Sequence, residues 1–332
     1  MKAWRVRAHG EPGEVLRAEE KECPLPGPQQ ILVRVTAAPG NFPDAMLCRG
    51  EYQIKPPLPF TPGVELCGRV TAVGEGAGRF AVGDRVLGLA ELPHGSFAEF
   101  ALMSEHRAFP APESLDDAES AALTLGYQTG WMGLHRRAGL RPGETLLVHA
   151  AAGGVGSAAV QLGKAAGATV VAVVGGAVKA ETARWLGADV VVDRSTDDFV
   201  EAVKTVTNGR GADVIYDPVG GAAFTRSTKC IAFEGRIVIV GFAGGIIPSP
   251  RLNHALIKNY SILGLHWGLY HERDPAAVRK AHEELTVLAD RGNVRPLISK
   301  RLGFSAVPEA ITRIAAGATV GRVVFDSWEG AE

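Results

Sequence analysis

Between Met1 and about Ala121, apolar residues fall in short β-branched runs, such as ILVRVTAA at 31–38 and CGRVTAVG at 67–74, broken at close intervals by Pro and Gly. That rhythm predicts a partly open β-barrel. From Asp116 the period lengthens: Ala118, Ala121, Ala122 and Leu125 recur at helical spacing in a stretch that reaches Ala138, and the domain boundary is placed between 121 and 122. Apolar runs then alternate with helical stretches. TLLVHA at 145–150, ATVVAVV at 168–174, GADVVVD at 187–193, ADVIYDPVG at 212–220, GRIVIVGFAGG at 235–245 and SILGLHW at 261–267 read as strands. SAAVQLGKAAG at 157–167 and Asp197–Thr207 read as helices between them. The alternation predicts a doubly wound parallel sheet of about six strands over 122–267. The tail, 268–332, holds a helix around Ala276–Arg291 and ends in RVVF, a strand suited to the first domain's barrel, so the tail is assigned to 1–121. The fold class is α/β, in two domains.

Chemistry enters at the turn between the first two strands of the sheet. Gly153, Gly154 and Gly156 let the backbone pass close to a pyrophosphate, which then faces the amides and positive dipole end of a helix starting near Val155. Ala151 stands where the strict G-x-G-x-x-G pattern has its first glycine, so the signal rests on context: a strand before, a helix after, and the next strand at crossover distance. At the end of that next strand, NAD-specific folds place an acid on the ribose 2′-hydroxyl. Here the place is taken by Gly175, Gly176 and Ala177, with Lys179 following at once.

Composition narrows the partner. The 332 residues carry 35 basic and 36 acidic side chains, so nothing favours nucleic acid or an anionic membrane, and a small-molecule ligand is expected. No long apolar run and no apolar h-region near the N-terminus are present, which predicts a cytoplasmic protein. Cys23, Cys48, Cys67 and Cys230 are too scattered for a disulfide framework or a C-x-x-C metal site and read as reduced thiols.

Taken together, N-F-P-D at 41–44, P-x-x-P-G-x-E at 59–65, V-G-D-R-V at 82–86, G-S-F-A-E at 95–99, H-A-A-A-G-G-V-G at 149–156, Y-D-P-V-G-G at 216–221 and G-R-V-V at 321–324 resemble a zinc-independent medium-chain dehydrogenase/reductase of the quinone oxidoreductase family. The resemblance implies a GroES-like catalytic domain and a Rossmann domain. Zinc alcohol dehydrogenases carry a cysteine where this chain has Asn41, and a G-H-E motif where it reads Gly63-Val64-Glu65; the four-cysteine structural lobe is missing too, so no metal is expected. Without a Lewis acid, alcohol oxidation is hard, whereas a quinone or conjugated carbonyl compound spreads the charge that hydride transfer creates.

The same resemblance implies roles for single residues. Lys179 and Arg194 match side chains that flank a 2′-phosphate, which makes NADPH the expected cofactor. Thr129 matches the position at which a helix reaches the nicotinamide end, and Gly241 and Phe242 match the loop over that ring. Tyr52 resembles the tyrosine proposed as proton donor in enoyl thioester reductases, with packing on the Pro-rich loop as its other reading. Asn41 is an orienter rather than a base, since an amide accepts no proton at useful pH. Asp217 reads as a turn organiser and His149 as a structural histidine, while His266 and Trp267 line either a substrate site or an interface.

Three functions remain in contention. The first is NADPH-dependent reduction of quinones or conjugated carbonyls. The second is enoyl thioester reduction, which needs a basic entrance for which Arg49, Lys55 and Arg251 are scattered candidates. The third is a non-catalytic, crystallin-like dinucleotide-binding protein. A homodimer through the apolar edge strand at 261–267 is expected.

Overall fold

The computed structural model describes residues 1–327 and separates the chain into two units, 1–124 together with 295 onward, and 125–294. The stretch 268–294 thus lies with the second unit, whereas the sequence reading assigns it to the first. Helix Pro275–Asp290 accounts for the difference. It buries Val278, Ala281 and Leu285, and its Glu284 Oε2 accepts a hydrogen bond from Trp131 Nε1 at 2.8 Å. An amphipathic helix covers whichever apolar surface it meets, and its own period does not name that surface. Residues 328–332 of the expected tail lie outside the described residues.

In the first unit, strands Ile298–Gly303, Arg322–Ser327, Gln30–Pro39, Glu65–Val73, Arg85–Leu89 and Ala108–Pro110 lie side by side in that order, and Phe100–Ser104 also pairs with Gln30–Pro39. The β-branched runs form this barrel because Ile31, Val33 and Val35 enter one core with Leu66, Val70, Val86 and Phe97. Phe325 of the returning strand completes it, meeting Phe97 edge-on with ring centroids 5.4 Å apart. The last described strand pairs antiparallel with Gln30–Pro39, as RVVF led one to expect.

In the second unit, six strands pair in parallel: Val190–Asp193, Thr169–Val174, Thr145–Val148, Ala212–Asp217, Ile231–Ile239 and Ser261–Gly264, in spatial order. Each anticipated strand forms, but its ends move. The strand read at 235–245 begins at Ile231 and stops at Ile239, because Glu234 takes a left-handed φ of 55° and the strand absorbs an irregularity there. SILGLHW narrows to Ser261–Gly264 before a tight turn at Trp267–Leu269. Helix Asp117–Trp131 passes into a π-helical turn at Met132–Arg137. Among the described residues no helix is long and apolar enough to cross a membrane. Cys48, Cys67 and Cys230 are buried free thiols, and Cys23 is exposed.

His149 follows the first strand of this sheet. Its Nε2 lies 2.8 Å from Ser227 Oγ, and its ring meets Phe199 edge-on at 4.9 Å. Burial pushes its pKa from 6.5 down to about 4, against the pull of Asp217, so the imidazole is neutral and structural. As pH falls through that window the unfolded chain takes up a proton that the folded chain refuses, so stability declines. His149→Gln should lose this share of the acid slope. Urea unfolding of both proteins at about pH 7 and about pH 4.5 measures it, and equal slopes would contradict the assignment.

Candidate functional site

The glycine turn of the second unit is built by a close approach of helix to strand. After Thr145–Val148 the chain turns through Ala150, which holds a left-handed φ of 49°, and Ala151 N–H bonds Val173 O at 3.0 Å. Helix Gly154–Ala165 then starts with Gly153 as its cap. A Cβ on Gly156 would lie 2.1 Å from Ala150 O, so only glycine fits there. The first-turn N–H groups of Gly154, Val155 and Gly156 have no carbonyl one turn back to bond, and Gly153, Gly154 and Val155 are half-buried, which leaves an amide cradle suited to a phosphate. Helix Asp117–Trp131 rides along this helix through two glycines. A Cβ on Gly126 would stand 3.2 Å from Gly154 O, and one on Gly130 2.7 Å from Leu162 Cδ1. Tyr127 OH accepts from Gln161 Nε2 at 2.9 Å, and Thr129 is buried in the same helical turn.

The turn lies where the strand order reverses, between Thr145–Val148 and Ala212–Asp217, the place at which doubly wound sheets bind ligands. The neighbouring strand ends at Gly175 and Gly176, and Gly176, with φ 90°, caps helix Ala177–Trp185, in whose first turn Lys179 sits half-buried. Arg194 lies over Gly175: its Nε and Nη2 are 3.0 Å from where a Cβ would be. A guanidinium therefore occupies the space that a side chain at 175 would fill. Sequence reasoning missed Asp193, because the acid comes from the end of the next strand. Its Oδ1 accepts from Gly176 N–H at 2.9 Å, Ser195 N–H at 3.0 Å and Ser195 Oγ at 2.7 Å. These bonds hold the carboxyl below the usual range, and they commit it to the turn.

Two further loops leave the same edge of the sheet. Asp217 Oδ1 accepts from Val219 N–H at 2.8 Å and Gly220 N–H at 2.9 Å, so this buried carboxylate organises its turn. The Phe242 ring rests on that turn, 2.8 Å from the position of a Cβ on Gly220, whose φ is 73°. Gly241 is half-buried, and a Cβ there would stand 3.6 Å from Pro218 O. Ala243 and Gly244 N–H groups bond Pro218 O and Val219 O at 3.0 Å each, which ties the two loops together. Trp267 is buried and meets His271 edge-on at 4.9 Å, whereas His266 is exposed.

In the first unit, Asn41 caps helix Phe42–Arg49. Its Nδ2 donates to Glu65 Oε1 at 3.0 Å and to Pro39 O at 3.2 Å, so both amide hydrogens are spent. Glu65 is fully buried and ion-paired with buried Arg322 of the last strand. Asp44 Oδ2 accepts from Asn41 N–H at 2.8 Å and Oδ1 from Gly63 N–H at 3.0 Å, and burial pushes its pKa up to about 7. Tyr52 is half-buried against the barrel core. Burial, and secondarily the Asp44 charge, raise its pKa, so the phenol keeps its proton. Arg49 is paired with Glu11 at 2.8 Å. Among the described residues no group of three or more His, Cys, Asp or Glu side chains is placed to hold a metal. Asp44, Glu65 and Arg322 enter the sequence reading only as letters of the motifs N-F-P-D, P-x-x-P-G-x-E and G-R-V-V; that they are buried and joined is decided by the pairing of the strands.

Family models match both halves of the chain: "Alcohol dehydrogenase GroES-like domain" at residues 27–113 and "Zinc-binding dehydrogenase" at 154–284. Quinone oxidoreductase-like protein 2 homolog of Nematostella vectensis is 37% identical over 98% of this chain and 90% of its own length. Among solved structures, the quinone oxidoreductase of Pseudomonas syringae pv. Tomato DC3000 superposes with TM-score 0.90 at 31% identity, over 98% of this chain and 99% of that one. The mycobacterial protein Rv1454c complexed with NADPH does so with TM-score 0.90 at 30% identity, over 98% and 99%. With two domains of these folds, a dinucleotide cradle at the switch point and relatives that match over nearly its whole length, the chain belongs to the quinone oxidoreductase family of medium-chain dehydrogenases/reductases.

Proposed function

We propose that the protein is an NADPH-dependent reductase of quinones and other conjugated carbonyl compounds, a cytoplasmic enzyme that works as a homodimer. The observation that carries the cofactor choice is Arg194 lying over Gly175, with Lys179 in the first turn of the adjoining helix. Two cations beside a side-chain-free strand end suit a 2′-phosphate, and Asp193 at the adjoining strand end is engaged with Gly176 and Ser195.

Gly153, Gly154, Val155 and Gly156 hold the pyrophosphate by backbone amides, and Thr129, Gly241 and Phe242 border the nicotinamide end. NADPH, when bound, supplies the hydride. Tyr52 then donates its phenolic proton to the reduced acceptor, a role that its raised pKa permits because the proton is present at neutral pH. Asn41, with both amide hydrogens committed, locates the helix ahead of Tyr52 rather than donating to the acceptor. The edge strand Ser261–Gly264 has a neighbour on one side, and Leu252, Leu256 and Ile257 just before it are 73%, 77% and 70% exposed. Pairing of two such edges would cover both features.

Lys179→Ala should raise the KM for NADPH about tenfold or more, the worth of a charge-assisted contact of roughly 1.5–3 kcal/mol, and leave that for NADH nearly unchanged. Equal losses for both cofactors in steady-state kinetics would remove the assignment. Tyr52→Phe keeps the ring and loses the donor. On an enone or enoyl thioester kcat should drop by roughly 10²–10⁴, and on a quinone by less, because water protonates exposed quinol oxygens. A loss confined to enoyl thioesters would shift the reading to an enoyl reductase, and no loss on any acceptor returns Tyr52 to packing. Light scattering at micromolar concentration should give the mass of a dimer, and a monomer there would refute the edge-strand interface.

A further inference from the structure

A buried polar network sits at the start of the helix that leads to Tyr52. Asn41, Asp44, Glu65 and Arg322 are 3%, 0%, 0% and 5% exposed. They come from three distant parts of the chain. Glu65 Oε1 receives both Arg322 Nη2 and Asn41 Nδ2, Asp44 ties Asn41 N–H to Gly63 N–H, and Gly40 N–H bonds Val323 O at 2.9 Å. Desolvating these charges costs several kcal/mol, and apolar side chains of like volume would hold the barrel as well or better. What hydrogen bonds add over apolar packing is direction. Because an ionised carboxylate only accepts, Glu65 admits the NH₂ end of Asn41 and no other orientation. That end fixes where helix Phe42–Arg49 begins, and the helix runs eight residues to a left-handed cap at Gly50, with φ 71°, and hands the chain on to Tyr52.

We propose that Glu65 and Arg322 are positioning residues, which set the helix through Asn41 and thereby place the Tyr52 hydroxyl. The proposal rests on the reading of Tyr52 as proton donor. It makes the last described strand a working part of the site, through a side chain 257 residues from its partner.

Three kinds of variant test it. Glu65→Leu or Arg322→Met alone leaves a buried charge without its partner and should lower Tm markedly. The double variant Glu65→Leu/Arg322→Met removes both charges and should recover most of that Tm. Its kcat on an enone should nonetheless stay about 10- to 100-fold low, as for a misplaced reacting group, with the KM for NADPH unchanged. Adding Tyr52→Phe to the double variant should then cost much less than it costs the wild type, a non-additivity that a purely structural pair does not produce. Should the double variant fail to fold, Arg322→Lys is read the same way, since it keeps the charge but moves the donor that Nη2 presents to Glu65 Oε1. A fluorine resonance from fluorotyrosine at position 52 reads placement without turnover, and it should move in the folded variants. An unmoved resonance, or wild-type kcat with an undiminished Tyr52→Phe effect, overturns the proposal. A moved resonance in an enzyme for which Tyr52→Phe has no effect on any acceptor upholds the positioning and instead removes the reading of Tyr52 as donor.

Discussion

The second unit depends on one close approach, the seating of helix Gly154–Ala165 against the strand before it. A Cβ at Gly156 would meet the Ala150 carbonyl at 2.1 Å, a separation that real atoms do not reach. Because that position is bare, the helix start comes down onto the sheet and its free amides gather at the carboxyl end of the strands. Other elements inherit the geometry. Helix Asp117–Trp131 lies along it by way of Gly126 and Gly130, and Ala151 ties the turn to the neighbouring strand. The left-handed backbone at Ala150 is strained for a residue with a side chain, and such strain persists where surrounding contacts over-determine it.

Around that cradle, three other loops use backbone geometry and short polar contacts in place of bulk. Asp193 and Asp217 each take two backbone N–H groups just beyond a strand end. A carboxylate so engaged is a structural fastener for its turn. Arg194 profits from this arrangement, since Gly175 beneath it offers room and Asp193 beside it faces the turn. The preference proposed for NADPH thus follows from how the two strand ends share out their hydrogen bonds.

The first unit solves a different problem. Its core is apolar around Ile31, Val33, Phe97 and Phe325, yet at one end it encloses a carboxylate pair, a guanidinium and an amide. In the zinc alcohol dehydrogenases, from which the sequence departs, a cysteine stands at the place of Asn41 and a histidine at that of Val64; here the amide of Asn41 is bonded to Glu65. The polar groups at this end of the barrel find their partners in hydrogen bonds within the chain.

Much was legible in the sequence because its signals are local. The strand, glycine turn, helix and strand of 145–176 can be read from periodicity and from residues within thirty positions of one another, and so can the strand runs of both domains. The glycines, and Lys179 just past the second strand, are legible on the same grounds, whereas Arg194 and the 2′-phosphate role of both cations come from the family resemblance. What the chain order could not state was which element covers which. Helix Pro275–Asp290 shows an apolar face either way, and only the docking of Glu284 on Trp131 assigns it to the second unit. Asp193 sits one strand away from the position where an acid is sought, so pairing had to exist before it could be found. Glu65 and Arg322 belong to family motifs in a linear reading, but nothing there joins them. They become a buried pair only when the last strand lies beside Gln30–Pro39, because burial belongs to the assembled sheet and to no residue by itself.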